Sequence, residues 1–238
     1  MPQPPKLTPD VKAILDELSK VLDATDEAGR RACDAKCGVY AFFDYDDEPI
    51  YVGQTYERLR VRIRRHLSNK RTDAVAMRVL DPMEVARIEV WPFWDLEDQP
   101  TTLRSQVLNR AEFTVFQMLT SRAKVSRLLN EVRPASAEPM ELPQSYSGDI
   151  IPVEIRPRLG HPDERISRRA LTIAGLAQVI KERDVSLGLR ETLVTQAERL
   201  EFLAKRRAAE VQGELPPEEA ARETTRKGQE DDGTPPSG

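Results

Sequence analysis

Residues 38–67 read GVYAFFDYDDEPIYVGQTYERLRVRIRRHL. Two short apolar runs, GVYAFF (38–43) and IYVG (50–53), flank DYDDEP, whose Asp, Glu and Pro are turn chemistry, so the pattern predicts a β-hairpin. Directly behind it, residues 56–69 predict a helix with Leu59, Ile63 and Leu67 on its apolar side. Arg58, Arg60, Arg62, Arg64, Arg65 and His66 fall in this segment, Lys70 and Arg71 follow it, and Glu57 alone opposes them. A basic helix is more often a solvated face than an anion site. Most exposed helices mix signs, however, and this one does not, which points to an anionic partner that the net charge of −4 conceals.

Outward from the hairpin, PDVKAILDELSKVLDA (9–24) carries Val11, Ile14, Leu15, Leu18, Val21 and Leu22 at helical spacing behind an early proline. RTDAVAMRVLDP (71–82) reads as a short helix ending before Pro82. MEVARIEVWPFW (83–94) alternates and is rich in β-branched and aromatic residues, which predicts a third strand. A long helix follows over about Thr102–Arg122. Prolines recur from Pro134 to Pro162 and mark an arm in which DIIPVEIRPRL can add an edge strand, where proline is tolerated. Two helical stretches occupy 164–211. The second has Leu189, Leu193, Gln196, Leu200 and Leu203 on one stripe, suited to a core face, a partner helix or self-association. The tail from Gly213 is poor in apolar residues and is expected to be disordered.

The chain has 238 residues, 32% charged and 39% hydrophobic, enough for one domain with an appendage. No apolar run approaches the roughly 18–20 residues a membrane span requires, and MPQPPKLTPD lacks a signal-peptide core. A soluble cytoplasmic protein with no membrane partner is the expectation. Cys33 and Cys37 are the two cysteines. A disulfide framework is not expected in a cytoplasmic chain of this size. A zinc site needs about four ligands at characteristic spacings, which these cysteines with His66 and His161 do not show, so two small residues leading into a strand is the simpler reading.

Chemistry gathers around the hairpin. Tyr40 and Tyr51 stand in the GVY and YVG segments of adjacent strands, and same-face strand neighbours can converge on one site; taken alone they are equally ordinary strand formers. Arg62 and His66, four residues apart, share one helix face. Arginine offers a planar fork for phosphate, and histidine moves a proton near neutral pH. On the long helix Glu112 lies on the stripe of Leu108, Val115 and Leu119. An inward carboxylate is costly unless it is paired or holds a cation. A magnesium ligand and an ion pair with a neighbour such as Arg110 are both open readings.

Taken together, GVY, ten residues, YVG, then Thr55, Leu59, Arg62, His66, Glu112 and Asn130 resemble the GIY-YIG nuclease family over about Lys36–Arg133. The resemblance implies an α+β fold: a small three-stranded antiparallel sheet flanked by helices, agreeing with the strand-strand-helix-strand-helix order above. Around it the reading places an N-terminal helix and connector (1–35), the nuclease-like domain (36–133), the proline-rich arm (134–163), C-terminal helices (164–212) and the tail (213–238).

The resemblance further implies hydrolysis of DNA phosphodiesters with one divalent metal, Mg²⁺ or Mn²⁺, held by Glu112. Arg62 would stabilise charge on the scissile phosphate. Tyr51 would be the base or water-orienting hydroxyl with His66 assisting, Tyr40 would complete the polar network, and Asn130 would brace the site. Arg58, Arg60, Arg64, Arg65, Lys70 and Arg71 are expected to hold DNA backbone. Chain length leaves no room for the extra domains of repair enzymes, so a stand-alone DNA endonuclease, restriction-like or structure-specific, is the leading expectation. A homodimer through the C-terminal helices is a possible assembly. The alternative is a catalytically inactive DNA-binding or assembly module whose C-terminal helices recruit a partner.

Overall fold

The computed structural model describes residues 7–67, 79–125 and 127–213. In chain order these form α1 (Pro9–Asp23), β1 (Gly38–Phe43), β2 (Pro49–Thr55), α2 (Leu59–Leu67), β3 (Arg87–Pro92), α3 (Thr101–Arg122), β4 (Tyr146–Asp149), a four-residue helical turn α4 (Arg156–Leu159), α5 (Pro162–Glu182) and α6 (Leu187–Gln212). The expected short helix over 71–82, the roles of Lys70 and Arg71, and the tail beyond Gly213 lie largely or wholly outside the described residues.

The sheet has four strands, not three, in the order β2-β1-β3-β4 with every pair antiparallel. The fourth comes from the proline-rich arm. It lies just N-terminal to most of the expected edge segment: Tyr146–Asp149 pairs with Arg87–Val90, and the downstream arginine-proline stretch turns into α4 instead. The physical reason is edge protection. Without β4, β3 would present a row of unpaired backbone groups. Pro143 and Pro152 bracket the strand rather than interrupt it, so its ladder donors are intact.

β1 is central and buried along its whole length. Its alternating side chains divide between two cores. Tyr40 and Phe42 join Leu18, Leu22, Leu59 and Ile63 from α1 and α2. Val39, Ala41 and Phe43 pack against Leu108, Ala111, Val115 and Leu119 of α3. A strand covered on both faces loses the polar-apolar alternation of a half-exposed one, which is why GVYAFF is continuously apolar. Neither cysteine is in a disulfide: both are free and buried, and burial pushes the Cys33 thiol up to about 12.

The C-terminal helices close over the hairpin turn. Arg165 on α5 is only 2% exposed and donates to Asp44 at 2.8 Å and Asp46 at 2.5 Å, both in the β1–β2 turn. Arg169 reaches Asp44 at 3.1 Å and Glu84 at 2.9 Å. The opposing carboxylates raise the affinity of Arg165 for its proton in spite of burial. On α6, Arg199 caps the carbonyls of Pro49 at 2.6 Å and Arg127 at 3.0 Å, and Gln196 donates to Val79 O at 2.7 Å. Leu189 and Leu203 are buried beside them. Leu189, Gln196 and Leu203 of the α6 stripe therefore face this chain's own core, while Leu193 and Leu200 are half-buried.

Candidate active site

Cross-strand register decides how the two tyrosines meet. Tyr40 does not oppose Tyr51; it faces Gly53, while Tyr51 faces Phe42. The tyrosines are diagonal neighbours on one sheet face, ring centroids 6.1 Å apart. A side chain at position 53 would occupy the space of the Tyr40 phenol: a Cβ there would stand 2.7 Å from the Tyr40 hydroxyl and 2.9 Å from the Tyr51 ring. The glycine of YVG is a clearance for both rings.

α2 lays its polar face over this pair. Leu59, Ile63 and Leu67 anchor it in the core, which turns Arg62 and His66 toward the tyrosines. Arg62 Nε donates to the Tyr40 hydroxyl at 3.3 Å, and that hydroxyl lies 3.2 Å from His66 Nδ1. The His66 ring stands edge-on to Tyr51 with centroids 4.7 Å apart. Burial works against the Arg62 charge, yet the surrounding Tyr40, Tyr51 and Glu57 oxygens more than compensate and raise its proton affinity. Tyr40 itself is fully buried behind the site. Tyr51, Arg62 and His66 line a cleft of about 430 Å³.

From the far side α3 brings Glu112 to the same cleft. The expected competitor for an ion pair, Arg110, is turned away and donates to the carbonyls of Glu138 and Pro139. The partner of Glu112 is Gln54, whose Nε2 donates to it at 3.1 Å and to Asn109 Oδ1 at 2.6 Å. Burial pushes the Glu112 carboxyl up to about 7, against the lowering effects of Gln54 and the nearby Arg62 charge. Gln54 carries no sequence signal beyond its position directly after YVG.

Asn130 also lines the cleft, and its amide serves as an extra rung on β2: Oδ1 accepts from Val52 N at 3.1 Å and Nδ2 donates to Val52 O at 2.7 Å. It thereby satisfies both backbone groups that the outer strand edge would leave open at that residue.

Of the expected backbone-gripping residues, Arg60 joins α2 to α1 through Leu22 O at 2.9 Å and Asp23 at 3.0 Å, and Arg65 pairs with Glu57. Arg64 is exposed and donates to Ser19 Oγ at 3.2 Å. Arg58 is exposed and makes no ion pair among the described residues. None of the four lines the cleft.

A divalent ion fits the donor set present. Among the described residues no cluster of three or more His, Cys, Asp or Glu side chains is preformed. Glu112 instead offers one desolvated carboxylate, and the Gln54 Oε1 beside it is buried with no hydrogen-bond partner. Magnesium often takes one or two protein oxygens and completes its shell with water and phosphate.

Comparison with known families bears on residues 36–96, which match the model of the GIY-YIG catalytic domain. That span holds Tyr40, Tyr51, Arg62 and His66; Glu112 and Asn130 lie beyond it. No curated protein and no solved structure gives a significant match to the chain. No described helix is long and apolar enough to cross a membrane.

Proposed function

We propose, from the match of residues 36–96 to the GIY-YIG catalytic domain, that the protein is a divalent-metal-dependent endonuclease acting on DNA, either restriction-like or structure-specific. One observation carries the reading. Tyr51 from β2, Arg62 and His66 from α2, and Glu112 from α3 arrive at a single cleft, although Glu112 lies outside the matched span. A carboxylate that costs desolvation energy and has no cationic partner bonded to it is explained by a bound cation.

Each residue has a role set by its position. Hydrolysis of a phosphodiester concentrates negative charge on the phosphoryl oxygens, and fixed positive groups aimed there supply the largest stabilisation. Arg62, held by Tyr40, is the protein's own such group. Glu112, with Gln54 Oε1 beside it, would hold Mg²⁺ or Mn²⁺, which would supply Lewis-acid charge. The Tyr51 hydroxyl orients the attacking water. The Tyr40 hydroxyl accepts from Arg62 and can give its own proton to His66 Nδ1, which leaves Nε2 to exchange protons with the cleft. Asn130 fixes β2, and with it Tyr51. Arg58 and Arg64, exposed on the α2 side, hold flanking backbone.

Cleavage of supercoiled plasmid and of a branched-DNA panel, with Mg²⁺, Mn²⁺ or EDTA, tests this with Arg62→Ala and Glu112→Ala beside wild type. Metal-dependent cutting lost in both variants is the expected result. DNA binding without cutting on every substrate, equal in wild type and Glu112→Ala, would replace the nuclease by a non-catalytic DNA-binding module.

A further inference from the structure

A second cleft, of about 180 Å³, adjoins the catalytic one, and Asn130 and Arg133 line both. Its walls come from three places: Phe116 and Thr120 on α3, Glu191 and Thr192 on α6, and Arg127 on the segment between α3 and the arm. Arg127 is half-buried and Arg133 exposed at the rim, and Arg127 makes no ion pair among the described residues, in a chain where most buried or half-buried arginines are matched to carboxylates. Thr120 Oγ1 is buried and has no hydrogen-bond partner. An unmatched half-buried guanidinium and an orphaned buried hydroxyl in one concavity describe a site lacking its ligand, because buried polar groups are ordinarily satisfied.

We propose that this cleft is a nucleotide subsite, which takes the phosphate and sugar-base unit next to the scissile phosphate on one side of the cut. The inference rests on the nuclease reading and adds direction to it. Arginine forks suit a phosphate bidentately. The single carboxylate, Glu191, makes the cleft too weakly cationic for a polyphosphate and leaves it fitted to one phosphate. The Phe116 ring supplies an apolar surface for the attached sugar or base. Continuity through Asn130 and Arg133 lets one strand occupy both clefts. Because α6 forms one wall, the C-terminal helices contribute to substrate binding as well as to the core.

The test is binding of 5′-phosphorylated oligothymidylates, lengthened one nucleotide at a time from the mononucleotide, at low salt and without metal. Wild type runs beside Arg127→Ala, Thr120→Val and Arg62→Ala, with melting curves to verify folding. In wild type, affinity is expected to rise about tenfold on lengthening, the size of one charge-assisted phosphate contact. Arg127→Ala and Thr120→Val should lose most of that rise while mononucleotide affinity is unchanged. Arg62→Ala should weaken the mononucleotide and keep the rise. A rise that is absent in wild type, or intact in both Arg127→Ala and Thr120→Val, overturns the second subsite. Failure of Arg62→Ala to weaken the mononucleotide speaks instead against the catalytic cleft as drawn, so the two readings fail separately.

Discussion

Gly53 and Tyr40 face each other across the β1–β2 ladder, and the Tyr40 hydroxyl occupies the space that any side chain at position 53 would need. That hydroxyl is also the junction between Arg62 and His66. The absence of one side chain thus permits a three-residue polar network.

Gly53→Ala should disrupt this network more than it disrupts the fold. Overpacking of this kind costs about 1–3 kcal/mol, while displacement of the Tyr40 ring misaims Arg62. The expected outcome is a modest fall in Tm together with a fall in cleavage rate of about a hundredfold, the scale of loss from small misplacement at an active site. A variant that melts lower and cuts normally would show that the network is not needed.

Glu112 gives the proposed metal site a pH dependence. Burial raises its folded-state carboxyl to about 7, above its unfolded value. The unfolded chain therefore binds fewer protons than the native one between those two values, and metal-free stability declines as pH rises through that window. Glu112→Gln should remove the decline, which denaturant unfolding at pH 4.5 and about pH 8 will read. A metal must also compete with that proton, so half-saturating Mg²⁺ should rise about tenfold per pH unit below 7.

The Arg165 cluster ties the C-terminal helices to the hairpin turn. Arg165→Ala leaves Asp44, Asp46 and Glu84 with one fewer cation in a buried setting. Breaking a buried ion network from one side costs about 3–5 kcal/mol. Thermal melting should show a large destabilisation, and a chain truncated before α5 should fail to fold.

Asn130→Asp tests the edge rung on β2. The carboxylate still accepts from Val52 N, but it has no proton for Val52 O and meets that carbonyl with charge. Asn130→Ala leaves both backbone groups open, at about 1–3 kcal/mol. Aspartate should therefore be no better than alanine in Tm, and both should lower cleavage by loosening β2 under Tyr51.

Much of the fold was readable from local chemistry. The hairpin, α1 and α3 followed from apolar spacing, the DYDDEP turn and an early proline, which act within a few residues and need no partner. Helical periodicity alone puts Arg62 and His66 on one face. The fourth strand was not readable in place, since a four-residue segment, YSGD, has no periodic signal and is specified by the open edge of β3.

The sequence by itself determined which side chains are near in the chain and what each can do chemically: a hairpin, a basic helix behind it, a carboxylate on an apolar stripe. Only the tertiary structure decided their partners. It turned Arg110 away from Glu112 and set Gln54 there, matched Arg60 and Arg65 to carboxylates, placed Tyr40 against Gly53 rather than Tyr51, and folded Leu189 and Leu203 of α6 inward. Each of these depends on strand register or on packing between elements far apart in the chain. Those long-range contacts are set by burial of the whole core and not by local spacing.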